Sequence, residues 1–270
     1  MNTAHSSDGT VIAYDTAGSG PPLVLVDGAL CTRTIGPGKN LARQLCEHFT
    51  VYSYDRRGRG ESGDTEEYAV AREVEDLQAV IAKAGREVFL FGQSSGAVLA
   101  LQAAALLPDV KRLAIYEAPF VVDGTRPPTG PEYYEGLTSM IAAGKPGAAV
   151  KLFLERVGLP TPVIVVMRLS PLWPKLKALA PTLPYDALIT VEHQQGRPLA
   201  RKDWAAIRQP TLVLAGGKSE PWMQNGMTAL TEALPDTEYR LLDRQTHNLR
   251  PKVVAPELVR FFGDAPRTTP

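Results

Sequence analysis

The chain has 270 residues, of which 44% are hydrophobic, and its 29 basic and 29 acidic side chains give a formal net charge of zero. A balanced charge without long runs of one sign disfavours electrostatic binding of nucleic acid or of an anionic membrane, and favours a small-molecule substrate. Two cysteines are too few for a disulfide framework and no basic-then-apolar leader is present, so we expect a cytoplasmic monomer or homodimer.

Short apolar runs rich in β-branched and aromatic residues alternate with helical patterns along most of the chain. This alternation is typical of an α/β fold with a mainly parallel central sheet and helices on both faces. Apolar spacing predicts amphipathic helices over 70–84 and 223–234, and a buried helix that Pro108 ends. The predicted strands are Thr10–Asp15, Leu23–Val26, Thr50–Tyr54, Val88–Gly92, Arg112–Glu117, Thr211–Ala215 and Glu238–Leu242.

The alternation breaks between residues 120 and 204, where prolines cluster among helical stretches. We interpret this segment as a helical cap inserted into a core domain of residues 1–119 and 205–265, with 266–270 as a loose tail. The apolar side chains of the cap either line a substrate pocket over the strand ends or pack the cap onto the core. The candidates are Tyr133, Tyr134, Met140, Phe153, Met167 and Trp173.

A nucleophile motif lies between a strand and a helix in FLFGQSSGAVLA. Its Gly-Gln-Ser-Ser-Gly sequence, residues 92–96, has the Gly-x-Ser-x-Gly spacing of a nucleophile elbow in the required context. The glycines permit a sharp turn that strains the serine backbone, and the helix N-terminus offers N–H groups to a developing oxyanion. We predict Ser94 as the nucleophile; the alternative is that Ser94 only caps the helix.

Three further segments accompany the elbow: PPLVLVDGAL (21–30), YDRRGRGES (54–62) and RLLDRQTHNL (240–249). Together with the elbow they resemble, in the same order, motifs of the α/β-hydrolase fold superfamily, and the resemblance covers nearly the whole chain. It implies an α/β-hydrolase fold with a helical cap, a catalytic histidine at His247, and no metal or organic cofactor.

His247 is one of four histidines and the only one on a loop just after a late predicted strand. An imidazole can take the serine proton near neutral pH and return it to the leaving group. The order of serine, acid and histidine along the chain also selects His247. The alternative is a surface histidine in a polar loop, and the residue before it is Thr246 where the family often has glycine.

The catalytic acid is missing from its usual place. That position follows the predicted strand Thr211–Ala215, and here it is Ser219. Glu117 ends the neighbouring strand, and a glutamate side chain can accommodate a shift of about 4.8 Å between adjacent strands. One subclass of haloalkane dehalogenases, similar in fold, keeps its acid there. We predict Glu117 as the acid, while a structural role for Glu117 stays open. Three other carboxylates remain alternatives: Glu220, Asp243 and Asp186.

The resemblance implies an oxyanion hole formed by the backbone N–H groups of Ala29 and Ser95. Asp27 replaces the histidine of the family's oxyanion loop, but backbone atoms bind the oxyanion, so we expect Asp27 to be a structural turn residue. Two groups nearby stay open between a site role and a structural role, namely the arginines Arg56, Arg57 and Arg59, and Cys31.

These residues predict a serine hydrolase that cleaves a small, largely apolar carboxylic ester, lactone or thioester through an acyl-enzyme on Ser94. Similar folds use the same Ser-His pair in lyases, C–C hydrolases and perhydrolases. A non-catalytic ligand-binding protein is the third interpretation. Serine in the elbow disfavours dehalogenase and epoxide-hydrolase chemistry, which uses an aspartate nucleophile.

Overall fold

In the computed structural model, which describes residues 1–263, eight strands form one sheet. The predicted tail 266–270 and core residues 264–265 lie outside the described residues. The strands are β1 (Asn2–His5), β2 (Val11–Ala17), β3 (Pro22–Val26), β4 (Thr50–Tyr54), β5 (Val88–Gln93), β6 (Val110–Tyr116), β7 (Thr211–Gly216) and β8 (Thr237–Leu242). Their order in the sheet is β1-β2-β4-β3-β5-β6-β7-β8; β2 runs antiparallel to β1 and β4, and all other neighbours are parallel.

All seven predicted strands are present, so the mainly parallel sheet is confirmed. β1 was not predicted, because its four residues Asn-Thr-Ala-His have no apolar run. Only Ala4 of this edge strand is buried. Hydrogen bonding to β2, rather than hydrophobic patterning, therefore defines this element.

Helices cover both faces of the sheet, because alternate side chains of the central strands point to opposite sides. In β5, Leu90 packs into the apolar layer that contains α2, α3 and α10, whereas Phe89 and Phe91 pack into the layer that contains α1 and α11. The core helices are α1 (Gly38–Leu45), α2 (Val70–Ala84), α3 (Ser95–Leu106), α10 (Pro221–Ala233) and α11 (Pro251–Gly263).

The predicted insertion between β6 and β7 is helical and forms an apolar cluster of its own. Leu137, Val150 and Leu183 are among its buried residues. The predicted limits of the cap, residues 120 and 204, stay a prediction. Within residues 1–263, no helix has both the length and the apolar character needed to cross a bilayer. The helices of the insertion are α4 (Pro131–Ala142), α5 (Pro146–Arg156), α6 (Thr161–Met167), α7 (Leu172–Leu179), α8 (Leu183–Thr190) and α9 (Arg201–Trp204).

Candidate active site

Ser94 lies at the sharp turn between β5 and α3, with backbone angles φ +54° and ψ −128°. Such a conformation is strained for a residue with a side chain, and the surroundings must hold it. The Ser94 N–H donates to the carbonyl of Tyr116 at 3.0 Å. A Cβ atom at Gly92 would lie 2.6 Å from the Gly96 carbonyl, and one at Gly96 would collide with the carbonyl of Val26. Both glycines are therefore required by close packing.

The structure brings Ser94, His247 and Glu117 into one hydrogen-bonded chain. His247 Nε2 lies 3.1 Å from Ser94 Oγ, and His247 Nδ1 lies 2.9 Å from Glu117 Oε2. The Glu117 side chain is completely buried, whereas 37% of the His247 side chain is exposed. An ionised carboxylate only accepts hydrogen bonds, so Nδ1 carries the proton and Nε2 is free to accept the proton of the serine.

Glu117 is fixed at both carboxylate oxygens. Oε1 accepts a hydrogen bond of 2.7 Å from the backbone N–H of Gly216, the last residue of β7. The backbone of Glu117 has φ +48°, and its N–H donates to Leu214 in β7 at 3.2 Å. The strand that lacks the usual acid therefore supports the carboxylate at the end of its neighbour.

The other candidate acids lie elsewhere. Glu220 is exposed at the start of α10, and Asp243 is exposed in the turn after β8. Asp186 is buried in α8 and binds arginines of the core. Among residues 1–263, Glu117 is the only carboxylate hydrogen-bonded to His247. Ser219 lines the pocket, but its buried Oγ has no hydrogen-bond partner within residues 1–263.

The loop after β3 approaches the nucleophile closely. A Cβ atom at Gly28 would lie 3.0 Å from the Cβ of Ser94. The Gly28 carbonyl accepts a hydrogen bond of 2.7 Å from Arg59. In a trans peptide the next N–H points the opposite way, so Ala29 directs its N–H away from Arg59. Ala29 lines the pocket, and Ser95 starts α3, where N–H groups have no partner inside the helix.

Asp27 directly follows β3 and is the first residue of this loop. Its side chain is buried, and Oδ1 accepts a hydrogen bond of 2.6 Å from Gln93. Burial raises the pKa of Asp27 to about 6, despite the Gln93 hydrogen bond and the attraction of two arginines. Cys31 packs against Gly36 and is not among the residues that line the pocket.

The arginines of the 54–62 segment are buried and already bind protein carboxylates, so they form no open anion site. Arg56 holds Glu73 through two hydrogen bonds of 2.6 Å and also binds Asp186 at 2.8 Å. Arg59 binds Asp186 at 2.6 Å, which ties the cap to the core. Burial alone would raise the pKa of Asp186, but Arg59 and Arg56 lower it below its ordinary value. Arg57 pairs with Asp76 at 2.7 Å through both of its oxygens.

A pocket with about 850 Å³ of empty space, including its open mouth, lies over Ser94 and His247. Of the six apolar cap residues proposed to line it, only Tyr133 and Phe153 do so. The other four pack in the cap cluster, since they face neighbouring cap helices; these are Tyr134, Met140, Met167 and Trp173.

Arg126 and Arg156 also line the pocket, and neither was predicted from the sequence. The sequence around Arg156 contains a pattern that could have identified it as a pocket residue. Leu152 and Phe153 precede it at helical spacing, and no acidic residue lies three or four positions away to form an ion pair with it along the helix. Arg126 lies in a proline-rich loop, where spacing gives no such information.

This architecture is similar to that of known proteins. The sequence model described as the alpha/beta hydrolase family matches residues 35–257. The crystal structure of an alpha/beta hydrolase from Sphaerobacter thermophilus DSM 20745 is 46% identical, with a TM-score of 0.89 over 97% of this chain and 100% of that chain. The predicted fold class is thereby confirmed.

Two curated proteins match more distantly. N-formylmaleamate deformylase from Pseudomonas putida KT2440 is 26% identical over 235 residues, covering 85% of this chain and 83% of that protein. The uncharacterized hydrolase YraK from Bacillus subtilis strain 168 is 32% identical over 123 residues. That match covers 42% of this chain and 43% of the Bacillus protein, so it spans less than half of either.

Proposed function

The chain belongs to the alpha/beta hydrolase family, and from that premise we propose that it is a serine hydrolase that cleaves a small carboxylic ester through an acyl-enzyme on Ser94. The observation that carries the proposal is the hydrogen-bonded chain from Ser94 through His247 to Glu117 beneath the pocket. Nucleophile, base and orienting acid in this geometry activate a serine for acyl transfer.

In the acylation step, Ser94 Oγ attacks the ester carbonyl while His247 Nε2 takes the hydroxyl proton. The tetrahedral intermediate places negative charge on the former carbonyl oxygen. The N–H groups of Ala29 and Ser95 stabilise this oxyanion. His247 then gives its proton to the departing alcohol, while Glu117 stabilises the transient imidazolium.

In the deacylation step, water attacks the acyl-enzyme while His247 accepts a proton from that water. Collapse of the second tetrahedral intermediate returns the proton to Ser94 Oγ and releases the carboxylic acid. The two half-reactions consume one water per ester, so no redox partner or further co-reactant is needed. The same steps cleave a lactone or a thioester.

A second candidate is hydrolysis of an N-acyl bond, favoured by the similarity to N-formylmaleamate deformylase. The leaving group is then an amine, which departs only after protonation, so the proton held by His247 becomes more important. Parallel assays with an ester and with the corresponding amide separate the two candidates.

The proposal is tested by labelling with a fluorophosphonate and by hydrolysis of 4-nitrophenyl butyrate. We expect labelling at Ser94, and a loss of about 10⁶ in kcat in Ser94→Ala, as for other serine nucleophiles. Ser219→Ala is the matched control, because Ser219 lines the same pocket but its Oγ has no hydrogen-bond partner within residues 1–263. Labelling without hydrolysis would favour a lyase, C–C hydrolase or perhydrolase. No labelling would favour a non-catalytic binding protein.

A further inference from the structure

Two positively charged side chains line the active-site pocket. Arg126 lies in the loop between β6 and α4, and Arg156 is the last residue of α5. Both side chains are partly buried, and within residues 1–263 neither forms an ion pair. Withdrawing like charges from water without a counter-charge is unfavourable, so the presence of both arginines in this pocket requires an explanation.

Uncharged partners hold the two guanidinium groups in place. Arg126 donates from Nη2 to the backbone carbonyl of Arg156, and its guanidinium carbon lies 4.2 Å from the ring centre of Trp222. Arg156 donates from Nη2 to Thr129 Oγ1, which itself donates to Gln194 at 2.6 Å. These contacts occupy one N–H of each guanidinium and leave the other four without a partner in residues 1–263.

The acidic groups around the pocket do not cancel this charge. Asp186 forms ion pairs with two buried arginines of the 54–62 segment. Glu117 is completely buried behind the imidazole of His247. Two exposed carboxylates, Glu220 at the rim and Glu132 in α4, attract Arg126 and Arg156 respectively, but neither forms an ion pair with them within residues 1–263. Burial and repulsion from Arg156 lower the pKa of Arg126, and burial lowers the pKa of Arg156. A bound anion would raise the pKa of both arginines.

We propose that Arg126 and Arg156 bind a carboxylate of the substrate, remote from the scissile carbonyl. The preferred substrate is then a monoester of a dicarboxylic acid. The planar guanidinium matches a carboxylate through paired hydrogen bonds, and apolar lining residues such as Phe153 and Met223 contact the intervening chain. This inference rests on the proposed serine-hydrolase function and names its substrate class.

The test compares monomethyl adipate with methyl hexanoate by pH-stat titration. The two esters have equally long acyl chains and differ in the terminal carboxylate. We expect kcat/KM to be at least about tenfold higher for monomethyl adipate. Arg126→Gln and Arg156→Gln should each lower this preference about tenfold to a hundredfold, chiefly through KM, because each removes charge-assisted hydrogen bonds. The Arg→Lys variants should retain part of the preference.

Arg168→Gln is the control for charge, because Arg168 is exposed on the cap and lies outside the pocket. It should leave the preference unchanged. Each variant is first checked for an unchanged melting temperature and for fluorophosphonate labelling. A wild-type ratio near one, or a ratio that neither glutamine variant alters, overturns the inference.

A binding measurement separates this inference from the proposed function. In Ser94→Ala, calorimetry should show monomethyl adipate binding at least about tenfold more tightly than methyl hexanoate, and Ser94→Ala/Arg126→Gln should lose the difference. Binding preference without turnover by the wild type would remove the proposed function and keep the anion site. Turnover without any preference would do the reverse.

Discussion

The ends of β6 and β7 lie side by side and differ in what they present to His247. At the end of β6, Glu117 is fully buried and both of its carboxylate oxygens accept hydrogen bonds. After the end of β7, Ser219 Oγ has no hydrogen-bond partner in the described part of the chain, and the adjacent Glu220 is exposed. The end of β6 therefore places a carboxylate at His247, whereas the end of β7 has a serine where the family usually has its acid.

The pairing with His247 depends on which carboxylate reaches the imidazole, and not on which strand carries that carboxylate. Parallel neighbours end at the same edge of the sheet, about 4.8 Å apart, so a carboxylate on either can face one histidine. β7 keeps a supporting role, because Gly216 donates its N–H to the acid. Changing each strand end separately tests this division of roles.

The largest effect is expected from Glu117→Gln, which should lower kcat by about 10³ to 10⁴. The amide would donate toward Nδ1 and force the proton onto Nε2, which then cannot accept the serine proton. Glu220→Gln is the matched control and should keep most of kcat. Steady-state kinetics on 4-nitrophenyl butyrate gives both values. A large loss in Glu220→Gln with little loss in Glu117→Gln would reverse the assignment of the acid.

Gly216→Ala should destabilise the fold by about 3 kcal/mol, because the new Cβ would lie 2.6 Å from the backbone carbonyl of Gln245. In a chain of this size, each kcal/mol lowers the melting temperature by about 2 to 4 °C. Gln245 lies two residues before His247, so kcat should fall as well. Gly124→Ala, with open space around its Cβ, is the control. Equal melting temperatures for the two variants would refute the close approach.

A third strand end, that of β3, gives the smallest expected effect. The pKa of buried Asp27 is about 6, above its ordinary value of 3.8, so the folded state binds more protons between these values. The free energy of unfolding therefore falls as the pH rises from about 4 to about 6, and the loss persists above that range.

Asp27→Asn removes this penalty and keeps an acceptor for Gln93. We expect its free energy of unfolding to exceed that of the wild type by about 2 to 3 kcal/mol at pH 8 and to nearly match it at pH 4. Urea unfolding at the two pH values measures the difference. The exposed Asp243→Asn should show no comparable gain at pH 8. A gain of equal size at both pH values would contradict the assigned cause.

Much of the fold could be predicted because apolar periodicity is local information. β4 was predicted with its full range, and each of the other six predicted strands was found with small shifts at its ends. β1 could not be predicted, since its polar residues are ordered by pairing with β2. Among the cap residues, Phe153 and Trp173 look alike in sequence, yet only Phe153 reaches the pocket. The two side chains differ in the direction in which they pack, and that direction cannot be read from the amino-acid composition.

The sequence by itself determined the elbow around Ser94, the histidine loop and the candidate acid, because glycine spacing, strand ends and chain order are readable along one chain. The tertiary structure decided which carboxylate reaches His247, since 130 residues separate Glu117 from that histidine. It also decided that Arg56 and Arg59 form buried ion pairs, whereas Arg126 and Arg156 form none with the rest of residues 1–263. The reason is physical: the environment of a charge depends on neighbours that folding brings together.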